Sequence, residues 1–505
     1  MNNLLYGILT VALSTVSFYY AYKLYRVNKV NLALLLLMLG GLLLRVYTAG
    51  DSYLHAWDER YHALVAKNMM QHPLKPTLYD DPVLPYDFKN WTANHVWVHK
   101  QPFPLWCMSI SMSVFGVNEM ALRLPSILLS TLGIYLIFYI ARYFYSTRVA
   151  LIAAFLYAIH GLIIELTAGR TATDHIDVFF LFFIQLAVFF AIRYFQSTRN
   201  IYTLFIGVSL GIALLSKWLP ALIVLPLWLL LALYSKTLNR KEMALHFTFI
   251  LFAASLIALP WQWYIFNAFP REAAWESDFN VRHLSEALED HDHPFYYHFS
   301  RIRIQYGELI YLPLSWFFYK TFKNIRNLPR LIFSLWILIP LVIFSFAQTK
   351  MPAYTLISAP AIFIVTAVFW EYLYRYRRQF KSPILLYALL ILLLALPVRY
   401  TLERVKPFHQ RERNPPWAQE LRALRQKLPQ SPRAVIFNAR RPVETMFYTP
   451  ALAYSHLPDS ATIATLQNKG YAVYLRKKRD KYPPPEGSKE SPCIGPSLNA
   501  CYVKW

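Results

Sequence analysis

The chain is divided by apolar runs long enough to cross a bilayer. They fall near 3–22, 30–49, 121–141, 149–166, 176–195, 201–216, 218–234, 244–266, 302–319, 331–347, 353–374 and 382–400. Runs of about 17–23 residues match the roughly 30 Å of hydrocarbon that a helix must cross. The hydrocarbon offers backbone N–H and C=O no partners, so such runs must be helical. The pattern predicts an all-α polytopic membrane protein with about twelve transmembrane helices, thirteen at the upper count. The pair 201–216 and 218–234, meeting at Ser216-Lys217-Trp218, is the weakest division. The composition agrees, with 56% hydrophobic and only 16% charged residues, against about a quarter charged in soluble domains. A disordered chain, a disulfide scaffold and a collagen-like repeat are excluded.

The basic residues set the orientation. Lys and Arg outnumber Asp and Glu by 51 to 28, a net charge of +23. They concentrate in every second short loop: Lys23/Arg26/Lys29, Arg142/Arg148, Arg193/Arg199, Lys236/Arg240/Lys241, Lys320/Lys323/Arg326/Arg330 and Arg375/Arg377/Arg378/Lys381. That alternation is the positive-inside rule. Most of the charge therefore describes topology and contact with anionic membrane lipids, with no nucleic acid as partner. The first run follows Met-Asn-Asn and precedes its basic residues, so the expectation is an anchor with its N-terminus outside and no cleaved signal peptide. The outer regions are then 50–120, 166–175, 267–301, 348–352 and everything after 401. This gives a helical domain over 1–400 and an outer domain over 401–505. Within 1–400, two large outer loops stand at 50–120 and 267–301.

The tail alternates strand-like pieces (434–437, 451–454, 471–475, 501–505) with helical ones (416–428, 442–448, 461–469), which predicts a small α/β domain. Cys493 and Cys501 both lie in it. In an oxidising outer compartment they can pair as a disulfide or stay two free thiols. Cys107, at the start of an apolar stretch, is expected to be packed.

The outer ends of the helices carry the reactive residues. Carboxylates stand at Asp58, Glu59, Asp174 and Asp177, and cations at Arg60, Lys100, Arg123, Lys217 and Lys350. Charge at membrane depth costs about 2.5–3.5 kcal/mol per group on insertion scales, so it is kept for a reason. A carboxylate can take a proton from an attacking hydroxyl. Cations can hold a phosphate and stabilise it as it leaves. The set suits group transfer from a phosphate-linked donor held in the bilayer. Asp58 and Glu59 are neighbours and cannot share a helix face; Asp58 is the expected base. A plainer reading stands beside each: a solvated helix start serves Asp58-Glu59 equally well, a headgroup contact His99-Lys100 and snorkelling Lys217, while an interfacial belt is the commoner role for Trp97, Trp106 and Tyr354. Pro102 and Pro104 would stiffen the segment presenting Lys100. Loop 267–301 holds Glu289-Asp290-His291-Asp292-His293 and His298. These are metal-capable residue types, but their spacing matches no closed site and a solvated loop is the simpler reading. No P-loop or Gly-rich fingerprint occurs, and 14 glycines leave few phosphate cradles, so no nucleotide is called for.

Four motifs in order resemble the GT-C membrane glycosyltransferases, in the branch of the lipid A aminoarabinose transferases and protein O-mannosyltransferases. They are Asp58-Glu59 soon after a span, Lys100-Gln-Pro102-Phe-Pro-Leu105, Ala121-Leu-Arg-Leu-Pro-Ser126, and Gly211-Ile-Ala-Leu-Leu215-Ser-Lys217-Trp-Leu-Pro220. The resemblance covers about 40–375, and only loosely the tail. It implies a GT-C fold whose first outer loop bears the active site. It implies an inverting transfer of a hexosyl or pentosyl group from a polyprenyl-phosphate donor to a lipid A, other glycan or lipid, or protein acceptor. The setting would be the bacterial inner membrane, with the site facing the periplasm. Asp58 would be the base and Asp174 the second acidic residue. Lys100, Arg60, Arg282, Lys350 and Tyr354 would surround the donor phosphate. The sequence also departs from the aminoarabinose transferases. His99 stands where they have Glu, one residue is missing before Arg60-Tyr61, and 278–280 reads Asp-Phe-Asn, with histidines only from His283 on. A divalent metal (zinc, or magnesium or manganese) on His99 and His283 is the form a cofactor would take. The rival expectations are a transporter or flippase for a lipid-linked or anionic solute, and a non-catalytic scaffold. A transporter predicts mid-membrane charge and a repeated half, neither of which the sequence shows.

Overall fold

The computed structural model describes residues 3–429, 433–476, 489–490 and 500–504. Its helices are α1 (Asn3–Arg26), α2 (Val30–Ala49), α3 (Asp58–Asn68), α4 (Pro102–Phe115), α5 (Glu119–Phe144), α6 (Thr147–Ala158), α7 (Gly161–Thr167), α8 (Asp174–Ser197), α9 (Ile201–Lys217), α10 (Val224–Ser235), α11 (Arg240–Ala268), α12 (Pro270–Ser285), α13 (Tyr297–Tyr306), α14 (Tyr311–Lys323), α15 (Leu328–Phe346), α16 (Ala359–Arg375), α17 (Pro383–Val405), α18 (Pro416–Lys427), α19 (Pro442–Tyr448) and α20 (Ser460–Asn468). Five strands follow or intervene: β1 (Ala434–Phe437), β2 (Leu452–Ala453), β3 (Ala472–Arg476), β4 (Lys489–Glu490) and β5 (Ala500–Lys504).

Among the described residues, eight helices are long and apolar enough to cross a membrane: α1, α2, α5, α8, α11, α15, α16 with the 3-10 turn before it, and α17. The bent pair α6 and α7 makes nine if it is one span. Four of the twelve expected runs therefore take another form. Run 149–166 is bent by 50° between α6 and α7, where His160 caps α7 by accepting from the Ile163 N–H. A Cβ on Gly161 would lie 2.8 Å from Arg404 Cδ and 3.1 Å from the Tyr400 carbonyl oxygen, so glycine lets α17 pack against the bend. Runs 201–216 and 218–234 are shorter apolar helices, separated by a 3-10 turn at Leu219–Ile223. Run 302–319 is cut at Gly307, whose φ of +99° ends α13 before α14 begins. Conversely, the apolar α4 lies inside what the sequence offered as an outer loop.

The chain forms two compact units. The first holds Met1–Gly50, Val98–Pro104 and Arg123–Arg411. Here α1 packs on α2, α8 on α9, α9 on α11, α16 on α6 and α17 on α7. Its core is aliphatic and aromatic, with two fully buried guanidiniums among the described residues, those of Arg45 and Arg123. Arg45 donates to Ser130 Oγ and to the carbonyls of Gly41, Ala158 and Tyr157. Helical carbonyls thus supply the solvation that water would otherwise give.

The second unit holds Asp51–Trp97, Leu105–Leu122 and Glu412–Trp505. This differs from the expected division at 400, which placed all of 50–120 with the helices. The physical reason is a dense set of polar ties between loop and tail. The Lys67 ammonium donates to the carbonyls of Met446 (2.6 Å), Phe447 (2.9 Å) and Thr449 (3.2 Å) at the end of α19, where the helix dipole favours a cation. Tyr79 stacks on Tyr454 and donates to the Ala453 carbonyl. Glu119 accepts from Tyr448 and Arg422. The sheet has the order β2-β1-β3-β5-β4. β1 is parallel to β2 and β3, while β5 is antiparallel to β3 and to β4. All four β1 residues are buried, as expected of a central parallel strand. Cys493 lies outside the described residues, so the choice between a Cys493–Cys501 disulfide and two free thiols does too; only the backbone of Cys501, in β5, is described. Cys107 is a free, half-buried thiol.

Candidate functional site

In the first unit, a short stretch after α15 is fastened to the end of α12. Backbone N–H groups of Gln348, Thr349 and Lys350 donate to the carbonyls of Leu284, His283 and His291. The Thr349 hydroxyl donates to the Glu286 carbonyl and accepts from the Leu288 N–H. This holds Lys350 inward, 3% exposed. Its ammonium has the Gln348 carbonyl at 3.4 Å and no ion pair among the described residues. The same segment is tied to α13 by Gln305, whose Nε2 donates to the Pro352 carbonyl at 2.9 Å, and on α13 His298 is 1% exposed with neither ring nitrogen hydrogen-bonded. Tyr354 opens the 3-10 turn before α16 and lies against Phe344. The Lys217 ammonium sits 5.1 Å from the Tyr354 ring centroid and 2.5 Å from Asp177 Oδ1. Thr173 donates to the other Asp177 oxygen. Thr173 and Asp174 both have positive φ, +66° and +30°. That is strained backbone of the kind held only where its surroundings over-determine it, and it starts α8 with Asp174 fully buried.

A second polar line joins Lys100, His99 and Glu276. The Lys100 ammonium donates to His99 Nε2 at 3.1 Å, and His99 Nδ1–H donates to Glu276 Oε2 at 2.9 Å. Because Lys is donor only, this arrangement fixes the neutral Nδ1–H tautomer of His99. It also answers the metal expectation. His99 has both nitrogens occupied, and one faces an ammonium where a cation would have to sit. His283 uses Nδ1 on the Phe279 carbonyl of its own helix, and burial holds its pKa below the usual range. Among the described residues no three His, Cys, Asp or Glu groups are placed to hold a metal. The His99 and His283 pair does not fit one.

Two other expected residues in this unit face local partners. Arg282 clasps Glu286 through Nε and Nη2, at 2.9 and 2.7 Å, one helical turn away. Arg123 is fully buried, and its Nη1 donates to the Ala49 carbonyl at the end of α2, a helix-capping position.

The second unit holds Asp58, Glu59 and Arg60 in the first turn of α3. Asp58 is half-buried, while Glu59 is fully buried. One Glu59 oxygen takes both the His55 backbone N–H and His55 Nδ1, each at 2.7 Å. His55 Nε2 reaches Asp51 at 3.3 Å, and Arg413 holds the other Asp51 oxygen. The Arg60 guanidinium stands 3.6 Å from the buried Glu444 carboxylate and over the Tyr61 ring. Glu276, Glu444 and the bridging role of His55 had no signal in the sequence, because each acts through a partner the motifs do not contain.

Residues 99–263 match the family model described as dolichyl-phosphate-mannose-protein mannosyltransferase. That range contains three of the four motifs; Asp58-Glu59 precedes it. The structure superposes on ArnT from Cupriavidus metallidurans bound to undecaprenyl phosphate with a TM-score of 0.64 and 16% identity, covering 93% of this chain and 97% of that one. The fold is GT-C. A second GT-C neighbour is the oligosaccharyltransferase AglB from Archaeoglobus fulgidus, with a TM-score of 0.57 and 14% identity over 88% of this chain and 69% of that one. Among sequence relatives, the undecaprenyl phosphate-alpha-4-amino-4-deoxy-L-arabinose arabinosyl transferase 2 of Proteus mirabilis is 27% identical over 283 residues, 53% of this chain. The chain spans about half the length of that relative (49%). The resemblance read from the motifs thus has its counterpart in the family match, the relatives and the GT-C fold of a multi-pass membrane protein.

Proposed function

We propose that this GT-C protein is an integral membrane glycosyltransferase that moves a sugar from a polyprenyl-phosphate donor to an acceptor outside the cytoplasm. The observation that carries the reading is Lys350: an ammonium 3% exposed, without a carboxylate partner among the described residues, on a segment fastened by backbone hydrogen bonds. A buried unpaired charge is costly, and a donor phosphate supplies the missing anion. The half-buried Lys100 ammonium, with an imidazole nitrogen as its one partner among the described residues, is a second cation without a carboxylate. Tyr354, beside Lys217, offers a hydroxyl near the same anion. Arg60 and Arg282 are already balanced by Glu444 and Glu286, so their charge is less available to the donor.

The acceptor oxygen attacks the anomeric carbon from the face opposite the phosphate. The carbon–oxygen bond to phosphate breaks, polyprenyl phosphate leaves, and the configuration inverts. When the acceptor is a hydroxyl, Asp58 takes its proton. Asp174 and Glu59 are buried acids that position rather than abstract. The sugar is a pentose or hexose, and the acceptor a lipid A, another glycan or lipid, or a protein. The setting is a bacterial inner membrane with the site open to the periplasm. The relatives support this reading through the undecaprenyl phosphate sugar that their name carries.

The test is transfer of radiolabelled sugar from a panel of polyprenyl-phosphate sugars by purified protein, with Asp58→Asn alongside. Turnover that falls at least a hundredfold in the variant while donor binding holds is expected, the usual size of a general-base effect. Donor binding without turnover in wild type, unchanged by the substitution, would favour a transporter instead.

A further inference from the structure

His298 combines three properties rarely found together. Its side chain is 1% exposed, neither ring nitrogen has a hydrogen-bond partner, and Lys350, a buried cation, is among the charges that act on it. The Phe344 carbonyl lies close enough to be felt but makes no bond of acceptable geometry. Aromatic edges enclose the ring, from Tyr297 at 5.2 Å and Phe344 at 6.4 Å between centroids. An orphaned buried polar atom costs about 1–3 kcal/mol, and native proteins keep few of them. Two on one ring, on a helix whose Gln305 donates to the Pro352 carbonyl two residues beyond the buried Lys350, mark a place completed by something else. That something must bring negative charge for Lys350 and a hydrogen-bond acceptor for the imidazole. A phosphate oxygen does both. A neutral imidazole has one N–H to give and one lone pair to receive, so the second nitrogen can accept from a hydroxyl beside the phosphate.

We propose that His298 is a further binding residue for the donor's phosphodiester, giving a ring N–H to a phosphate oxygen whose charge the Lys350 ammonium meets. This rests on the donor site proposed above. It adds a residue from α13, an element that none of the four motifs reaches. Imidazole supplies direction where lysine supplies charge: a lysine holds the phosphate as a point charge with rotating donors, whereas a ring N–H fixes which oxygen faces it.

The experiment measures binding of undecaprenyl phosphate to the full-length protein in phosphatidylcholine nanodiscs. Undecaprenol, phosphatidylglycerol and inorganic phosphate serve as comparison ligands. The variants are His298→Leu, His298→Asn, His298→Gln and Lys350→Met, each checked for its melting temperature. His298→Leu is expected to weaken undecaprenyl phosphate binding roughly tenfold, the worth of one hydrogen bond to a charged group. One of the two amides should recover it to within a few-fold, and undecaprenol binding should not change. Unchanged binding in His298→Leu, or a loss that neither amide recovers together with a lowered melting temperature, overturns the assignment. If His298→Leu is unchanged but Lys350→Met loses phosphate preference, the donor site survives without His298. If wild type prefers undecaprenyl phosphate neither to undecaprenol nor to phosphatidylglycerol, the donor site itself fails and His298 with it. Competition by inorganic phosphate at millimolar levels, lost in His298→Leu, would support the assignment and separate headgroup from chain.

Discussion

Burial first, and the Lys350 ammonium second, keep the His298 imidazole neutral far below the ordinary range, down to about 4. The sign of the linkage follows. The unfolded chain takes a proton at about 6.5, while the folded one refuses it until about 4. Stability is therefore full above 6.5 and is lost as pH falls through that window, by about 2 kcal/mol at pH 5. Thermal unfolding at pH 7 and pH 5 checks this: the melting temperature of His298→Leu should fall less between the two than that of wild type. An equal fall in both would mean that His298 titrates normally. Single residues were the hardest scale to read in the sequence. Asp58, Lys100 and Lys350 are legible because charge at a helix end in an apolar chain stands out. Glu276 is not, since its meaning lies in His99, 177 positions away. Arg45 looks like a stray charge inside an apolar run until the carbonyls of α2 and α6 are seen around it.

Elements are ended here by backbone chemistry that apolar periodicity does not reveal. Gly307 has φ +99° and ψ 150°, a region essentially closed to residues with a Cβ. A Cβ there would also stand 3.1 Å from Leu396 Cβ and 3.2 Å from Pro397 Cδ. Gly307→Ala should cost about 1–3 kcal/mol, read as a lowered melting temperature without loss of helix content. The hydropathy of 302–319 runs through this break, which is why the sequence shows one span where the structure has two short helices. In the tail the reverse holds. From α18 to β3 helices and strands alternate, set off by residues such as Pro442, Pro450 and Gly470, and β1 and α19 coincide with the sequence expectation at both ends. At the joint of α3 and α19, Lys67 is buried enough for its pKa to fall to about 8, through desolvation first and Arg425 and Arg433 next. Replacing it with Met strands three carbonyls and should cost about 2–4 kcal/mol. Hydrogen exchange is the check: amides of α3 and α19 should speed up together in Lys67→Met, and a change confined to one helix would separate them.

On the scale of the molecule, the alternation of basic loops makes a testable map. Cysteines placed at Asn239 and at Asn468, in a background with Cys107, Cys493 and Cys501 all replaced by Ala, should differ in intact cells. The second reacts with a membrane-impermeant maleimide, and the first only after the membrane is opened. Labelling of both from outside would break the assigned topology. The class of the chain was legible from its runs and charges alone, because bilayer thickness and the positive-inside bias act on composition directly. The grouping of the chain into units was not, since it depends on pairings such as Lys67 with Met446 and Asp51 with Arg413 across almost four hundred positions. That pairing also has a consequence in time. The stretch carrying Asp58 leaves the ribosome before α4 to α17, but the tail that completes its unit emerges only after α17 has been made. Asp51–Trp97 must therefore wait through the synthesis of α4 to α17 before its partners in the tail exist. A chain stopped after Val405 should insert its helices yet leave that stretch open to added protease, so the proposed proton acceptor gains its surroundings only once α18 to β3 have been made.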